Sequence, residues 1–152
     1  TLVPEKRQEL TTEGGLDLAA MEMKVSPAID ILKENGIKVS VFIEPHPDSV
    51  DMALEVGADM IEIHTGKYAL IKEYNERIIE LDKIRQTAKV GKELALGVNA
   101  GHGLNYLNII PIANMEDIDE VSIGHSIIAR AAFVGLHNAV AEMLTIIRRA
   151  RQ

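Results

Sequence analysis

Short β-branched runs separated by helix-sized stretches recur along the whole chain, and this alternation constrains the fold more than any other feature. Residues 37–43 read as a strand, and Pro47-Asp48 opens a helix that runs to about Glu55. Residues 59–64 form a second run, followed by a long helix with Ile71, Tyr74, Ile78, Leu81 and Ala88 at helical spacing. Residues 94–99 and 120–123 give two more strands, and Leu136, Ala139, Val140, Met143 and Ile147 mark the apolar stripe of a last helix. Ser26-Pro27 has the form of an N-cap followed by proline at the first helical position, with Asn35-Gly36 as that helix's end. Counting residues 1–3 as a strand makes five.

Strands alternating with helices imply a parallel sheet with crossover helices, an α/β fold. The pattern fits either an open doubly wound sheet or part of a closed barrel. Two details favour the barrel. Residues with chemistry fall at or just beyond strand C-terminal ends, where barrel active sites are built. The first glycine-rich turn, Glu13-Gly14-Gly15, is not a dinucleotide fingerprint. The expected architecture is therefore a (β/α)₈ TIM barrel of which residues 1–152, a single partial domain, supply roughly the last five β/α units. The strand-like start without Met suggests that the first strands lie upstream. No secretory signal is visible.

At 152 residues, nearly half of them apolar and a quarter charged, the chain has the make-up of a soluble globular domain. No apolar run approaches the roughly 20 residues of a membrane helix. The net charge of −7 opposes non-specific nucleic-acid binding, which needs dense Lys and Arg. A small phosphorylated ligand remains compatible, since a few backbone N–H groups can hold it. Cysteine is absent, which fits a reducing cytoplasm. The histidines at 46, 64, 102, 125 and 137 lack metal-ligand spacing, so no metal site is expected.

Four segments carry chemistry. The polar stretch from Val3 to Gly15 offers Thr hydroxyls and glycine backbone at a strand mouth, suited to a phosphorylated ligand or to nothing more than solvent. In Ile61-Glu62-Ile63-His64-Thr65-Gly66 the alternation puts Glu62 and His64 on one strand face and the isoleucines on the other. Glu62 would then point into the barrel, as a working carboxylate or as one paired with a nearby Lys or Arg. In Asn99-Ala100-Gly101-His102-Gly103 an imidazole sits between two glycines just past a strand, placed for proton transfer or serving the loop structurally. Ile123-Gly124-His125-Ser126 crosses from strand to helix, where unpaired N–H groups and the helix dipole can hold phosphate, unless Ser126 merely caps the helix.

Together these segments, in this order and spacing, resemble the pyridoxine 5′-phosphate synthase family from residue 1 almost to the end of the chain. The resemblance implies a condensation without metal or cofactor. Its substrates would be 3-amino-2-oxopropyl phosphate and 1-deoxy-D-xylulose 5-phosphate, and its products pyridoxine 5′-phosphate, phosphate and water. It further implies that Thr11 contacts the deoxyxylulose phosphate, that Glu62 stabilises the transition state and that His102 donates a proton. Gly103, Gly124 and His125 would contact the aminooxopropyl phosphate. A cytoplasmic homo-oligomer is expected on the same ground.

This chain departs from the family pattern in two ways. The family's further acid–base residues lie on strands upstream of Thr1, so residues 1–152 alone are expected to be inactive. Leu107 stands where many relatives have His. The competing readings are another phosphate-binding barrel enzyme, an isomerase or aldolase, and a non-catalytic half-barrel. A Schiff-base aldolase would need a lysine at a strand's C-terminal end, whereas Lys38 is early in its strand.

Overall fold

The computed structural model describes residues 1–4 and 14–152. Its centre is a four-stranded parallel sheet in the order β1 (Ser40–Ile43), β2 (Met60–His64), β3 (Gly97–Gly101), β4 (Glu120–Ser122). Spatial order equals chain order. Residues 1–3 contribute less than the expected fifth strand. Leu2 alone forms a parallel bridge to Val41, donating its N–H to Ser40 O at 2.7 Å and accepting from Phe42 N at 3.0 Å.

Seven helices join and flank the described strands: α1 (Leu18–Glu34), α2 (Pro47–Glu55), α3 (Gly66–Leu70), α4 (Tyr74–Glu93), α5 (Ile109–Ala113), α6 (His125–Val134) and α7 (Leu136–Ala150). None is long and apolar enough to cross a membrane. Pro47 opens α2 as expected, with His46 accepting from Asp48 N. Asp17 caps α1 by accepting from Ala20 N at 3.0 Å, so α1 starts well before Pro27 and carries that proline in its interior. The Ser26-Pro27 cap is thus corrected. Pro27 and Met23 both face solvent, so water can take the carbonyl that Pro27 leaves without a donor.

The expected helix around Ile71 is two helices. Ile71 is extended between α3 and α4, and the Arg77 guanidinium donates to its carbonyl from Nε (3.2 Å) and Nη2 (3.0 Å). Tyr74 and Ile78, assigned to the apolar stripe, are exposed; the buried face of α4 is Leu81, Ile84, Ala88 and Gly91. Gly91 lets α4 lie close on the sheet, since a Cβ there would meet Val98 Cγ2 at 2.8 Å and Ile61 Cδ1 at 3.0 Å. Likewise α7 buries Ala139 and Met143 while Leu136 is exposed.

The three longer helices that precede strands end in one kind of turn. After α1, Ile37 N donates to Leu32 O and Gly36 N to Lys33 O; after α2, Ala58 N donates to Ala53 O and Gly57 N to Leu54 O. After α4, Leu96 N donates to Gly91 O and Ala95 N to Lys92 O. This is the paired 6→1 and 5→2 bonding of a Schellman motif. It consumes residues 94–96, which is why β3 begins at Gly97 and not at Leu94 as expected.

The helix-covered face of the sheet is dry. Val41, Ile43, Ile61, Ile63, Val98 and Ala100 are fully buried there with Ile29, Val50 and Ile84. Each valine or isoleucine among them contributes about 1.5–3 kcal/mol by leaving water. The register aligns Phe42, Glu62, Asn99 and Glu120 in one row of the opposite face. That face holds the chemistry.

Candidate active site

Glu62 lies mid-strand on the open face, and its Oε2 accepts from Thr1 Oγ1 at 2.9 Å. Among the described residues no Lys or Arg pairs with it, so the cation-paired alternative finds no support in them. Gly101 is aligned with His64 one row further along this face, and a Cβ there would collide with Glu62 Oε1 and approach Ser122 Cβ to 2.9 Å. Glycine at that place gives the carboxylate its room.

His102 follows β3 directly and has φ 81°, in the left-handed region that non-glycine residues rarely adopt. Such a conformation costs on the order of 1–3 kcal/mol and persists only where the surroundings enforce it. Thr65, fully buried, is the enforcing residue. Its N–H donates to Gly101 O at 2.8 Å, and its Oγ1 lies 2.7 Å from Gly101 O and 2.6 Å from His102 O, able to donate to either. Beyond it, Gly103 is also left-handed (φ 74°) and packs on Ala69 of α3, while Asn108 Nδ2 donates to its carbonyl at 3.1 Å. Leu107 points into solvent at 92% exposure, so its departure from the family pattern leaves the loop's packing intact.

Burial holds His102 below the ordinary imidazole range, helped by the charges of His64 and His125 and opposed by that of Glu62. Its ring is therefore mainly neutral at neutral pH, able to accept a proton and to return one.

The first turn of α6 completes the site. Gly124 occupies the N-cap without a side-chain cap, and Ser126 Oγ donates to Leu104 O at 3.0 Å instead of capping the helix. The turn's backbone donors and the positive end of the helix dipole remain available to an anion. A Cβ on Gly124 would meet nothing within 4 Å.

Glu62, His102, Gly103, Gly124 and His125 all line one cavity of about 850 Å³. Five of the six site residues expected from sequence thus converge, and Thr11 lies outside the described residues. Lys38 is exposed ahead of β1, at the sheet end remote from this cavity, beside Asp59. Among the described residues no three or more His, Asp or Glu converge as a metal site would.

Sequence reasoning missed Glu44 and left His64 without a role. A second cavity, about 910 Å³, meets the first at His102, Gly103 and Asn105 and is lined also by Glu44, His64 and Lys67. Glu44 Oε1 accepts from Gly15 N at 2.7 Å and lies 3.0 Å from His64 Nδ1. The bond to His64 is the main reason that its carboxyl sits below the usual range, burial acting the other way. The available signal was parity: Glu44 is two residues beyond Phe42 and follows the strand end, as His64 follows Glu62.

The chain matches the family model described as pyridoxal phosphate biosynthesis protein PdxJ over residues 1–149. Among curated proteins it is 53% identical over 149 residues to a pyridoxine 5′-phosphate synthase of Trichlorobacter lovleyi, covering 98% of this chain and 62% of that one. The synthase of Chlorobium phaeobacteroides is 53% identical over 97% of this chain and 63% of its own length. That of Geobacter metallireducens is 51% identical over 99% and 63%. The chain spans somewhat under two thirds of these relatives.

Proposed function

The chain belongs to the PdxJ family of pyridoxal phosphate biosynthesis proteins, and from that premise we propose that it forms the phosphate-binding and proton-transferring part of a pyridoxine 5′-phosphate synthase. The reaction condenses 3-amino-2-oxopropyl phosphate with 1-deoxy-D-xylulose 5-phosphate to pyridoxine 5′-phosphate, phosphate and water. One observation carries the reading: Glu62, His102 and the start of α6 bound the same cavity.

The chemistry follows from that arrangement. The aminooxopropyl phosphate sits with its phosphate on the Gly124–His125–Ser126 backbone, which fixes the amine end towards β2 and β3. Attack of the amine on the ketone of the partner substrate, with loss of water, builds positive charge on nitrogen. The Glu62 carboxylate, projecting from the same face, stabilises that charge. His102 takes a proton in one step and returns it to a leaving oxygen in another, as a neutral imidazole can. Thr11 contacts the deoxyxylulose phosphate.

The same reading makes the sheet part of a (β/α)₈ barrel to which this chain supplies the last five units, with Leu2 as the bridge from the first of them. It places the enzyme in the cytoplasm as a homo-oligomer, without nucleic-acid or membrane partners. The test is to add both substrates to the full-length protein and follow the pyridoxine chromophore. Product formation supports the reading. A folded protein that makes none, or that instead isomerises or cleaves a sugar phosphate, overturns it.

A further inference from the structure

The buried His64 is the least explained polar group beside the site. It is 7% exposed, its Nδ1 is held 3.0 Å from Glu44 Oε1, and its buried Nε2 has no partner among the described residues. A leucine or phenylalanine would fill this space without leaving a ring nitrogen unsatisfied, a loss of about 1–3 kcal/mol. The imidazole is nonetheless packed in a triangle of rings with Phe42, at 5.0 Å between centroids, and His102, at 5.1 Å and 64° between planes, the other two rings lying 6.5 Å from each other. Gly66 closes over it, since a Cβ there would run into His64 Nε2 and stand 2.8 Å from His102 Cδ2. The ionised Glu44 carboxylate can only accept, so Nδ1 carries the hydrogen, and Nε2 is left as the nitrogen on the Gly66 side of the ring.

We propose that Glu44 and His64 are positioning residues that hold the His102 ring edge-on and set how readily it takes up a proton. The proposal rests on the reading of His102 as the proton carrier. Glu44, just past β1, anchors His64 at the end of β2, and His64 in turn presents its ring to His102, just past β3. The groups acting on His102 are its own burial, then His64 and His125, which disfavour its charged form, and Glu62 on its own face, which favours it. Glu44 faces His64 and Gly15, and Lys67, bound to Glu80, lies along the same cavity. Of these groups His64 is the one whose ring packs against that of His102, so its replacement moves His102 most directly.

The experiment is an NMR titration of His102 in the full-length protein, carbon-13 labelled at histidine and free of substrate, beside the pH profile of kcat. His64→Gln should raise the His102 midpoint by on the order of half a pH unit, because a neutral amide replaces the neighbour that disfavours the charged form of His102. Glu44→Gln keeps the shape and removes the anchoring charge, so it should move the midpoint the same way by less, with Glu44→Asp restoring it. The acid limb of kcat should follow, with KM little changed. Thermal melts confirm folding. If His64→Gln does not fold, the half-exposed Glu44 carries the test through its two variants. An unmoved His102 midpoint in a folded Glu44→Gln protein overturns the proposal. The titration needs no turnover, so a protein that shows the shift but makes no pyridoxine phosphate refutes the proposed reaction and leaves this relationship standing.

Discussion

Gly57 and Ala95 occupy the same left-handed position of the same helix-ending turn, at φ 86° and φ 59°. Only one of them is glycine. An L-residue there is strained by about 1–2 kcal/mol, part of which glycine would give back as extra freedom of the unfolded chain. Ala95→Gly should therefore stabilise the protein by roughly 0.5–1 kcal/mol in urea unfolding. Gly57→Ala should do the reverse, because its Cβ would touch only Ile29 Cγ2 at 3.8 Å and strain alone is left to act.

His102→Asn in the full-length enzyme should lower kcat by roughly 10²–10⁴-fold, the span for a lost proton-transfer group. Glu62→Gln keeps the shape and should also act mainly on kcat. Steady-state kinetics with circular dichroism checks both. A folded His102→Asn with near-normal kcat would make His102 a loop residue only.

Gly124→Val should leave folding unchanged, because the open space at that Cβ offers nothing to collide with. The added side chain instead occupies the approach to the α6 amides. KM for the aminooxopropyl phosphate should rise well ahead of any fall in kcat. An unchanged KM would place the phosphate elsewhere.

Asp59 and Asp119 each clamp the start of the preceding strand. Asp59 accepts from Val39 N and pairs with Lys33; Asp119 accepts from Val98 N and pairs with Lys92. The backbone bond for Asp59, and the Lys92 bond followed by the backbone bond for Asp119, hold both carboxyls below their ordinary values. Such groups bind fewer protons folded than unfolded. Their stabilisation is complete above the ordinary value of 3.8 and is lost as pH falls through the lower folded one. Both are partly exposed, so solvent screening limits the effect. Asp59→Asn should cost about 1 kcal/mol at neutral pH and progressively less in acid, read from unfolding at several pH values.

The sequence made the α/β alternation and the residues of the candidate site readable because both depend on local pattern. Glu62 and His102 stand out by strand parity and by flanking glycines. What escaped depends on contacts made at a distance. Ser26-Pro27 looks like a helix start unless Asp17 is known to cap nine residues before Ser26. Ile71 looks helical unless Arg77 is seen to take its carbonyl. The Glu44–His64 bond joins residues 20 apart that the register of β1 and β2 brings together.

Because each of the four described strands pairs with its neighbour in the chain, none of them has to wait for a partner within this sheet made much later. A chain emerging from the ribosome at about 5–20 residues per second can add one strand and its covering helix at a time. Each addition closes a loop only a few tens of residues long, and loop closure grows slowly with length. The site assembles on the same schedule. Glu44 is made first, His64 next, His102 third and the α6 turn last, so the proton-handling groups are in place before the phosphate cradle that would hold substrate against them.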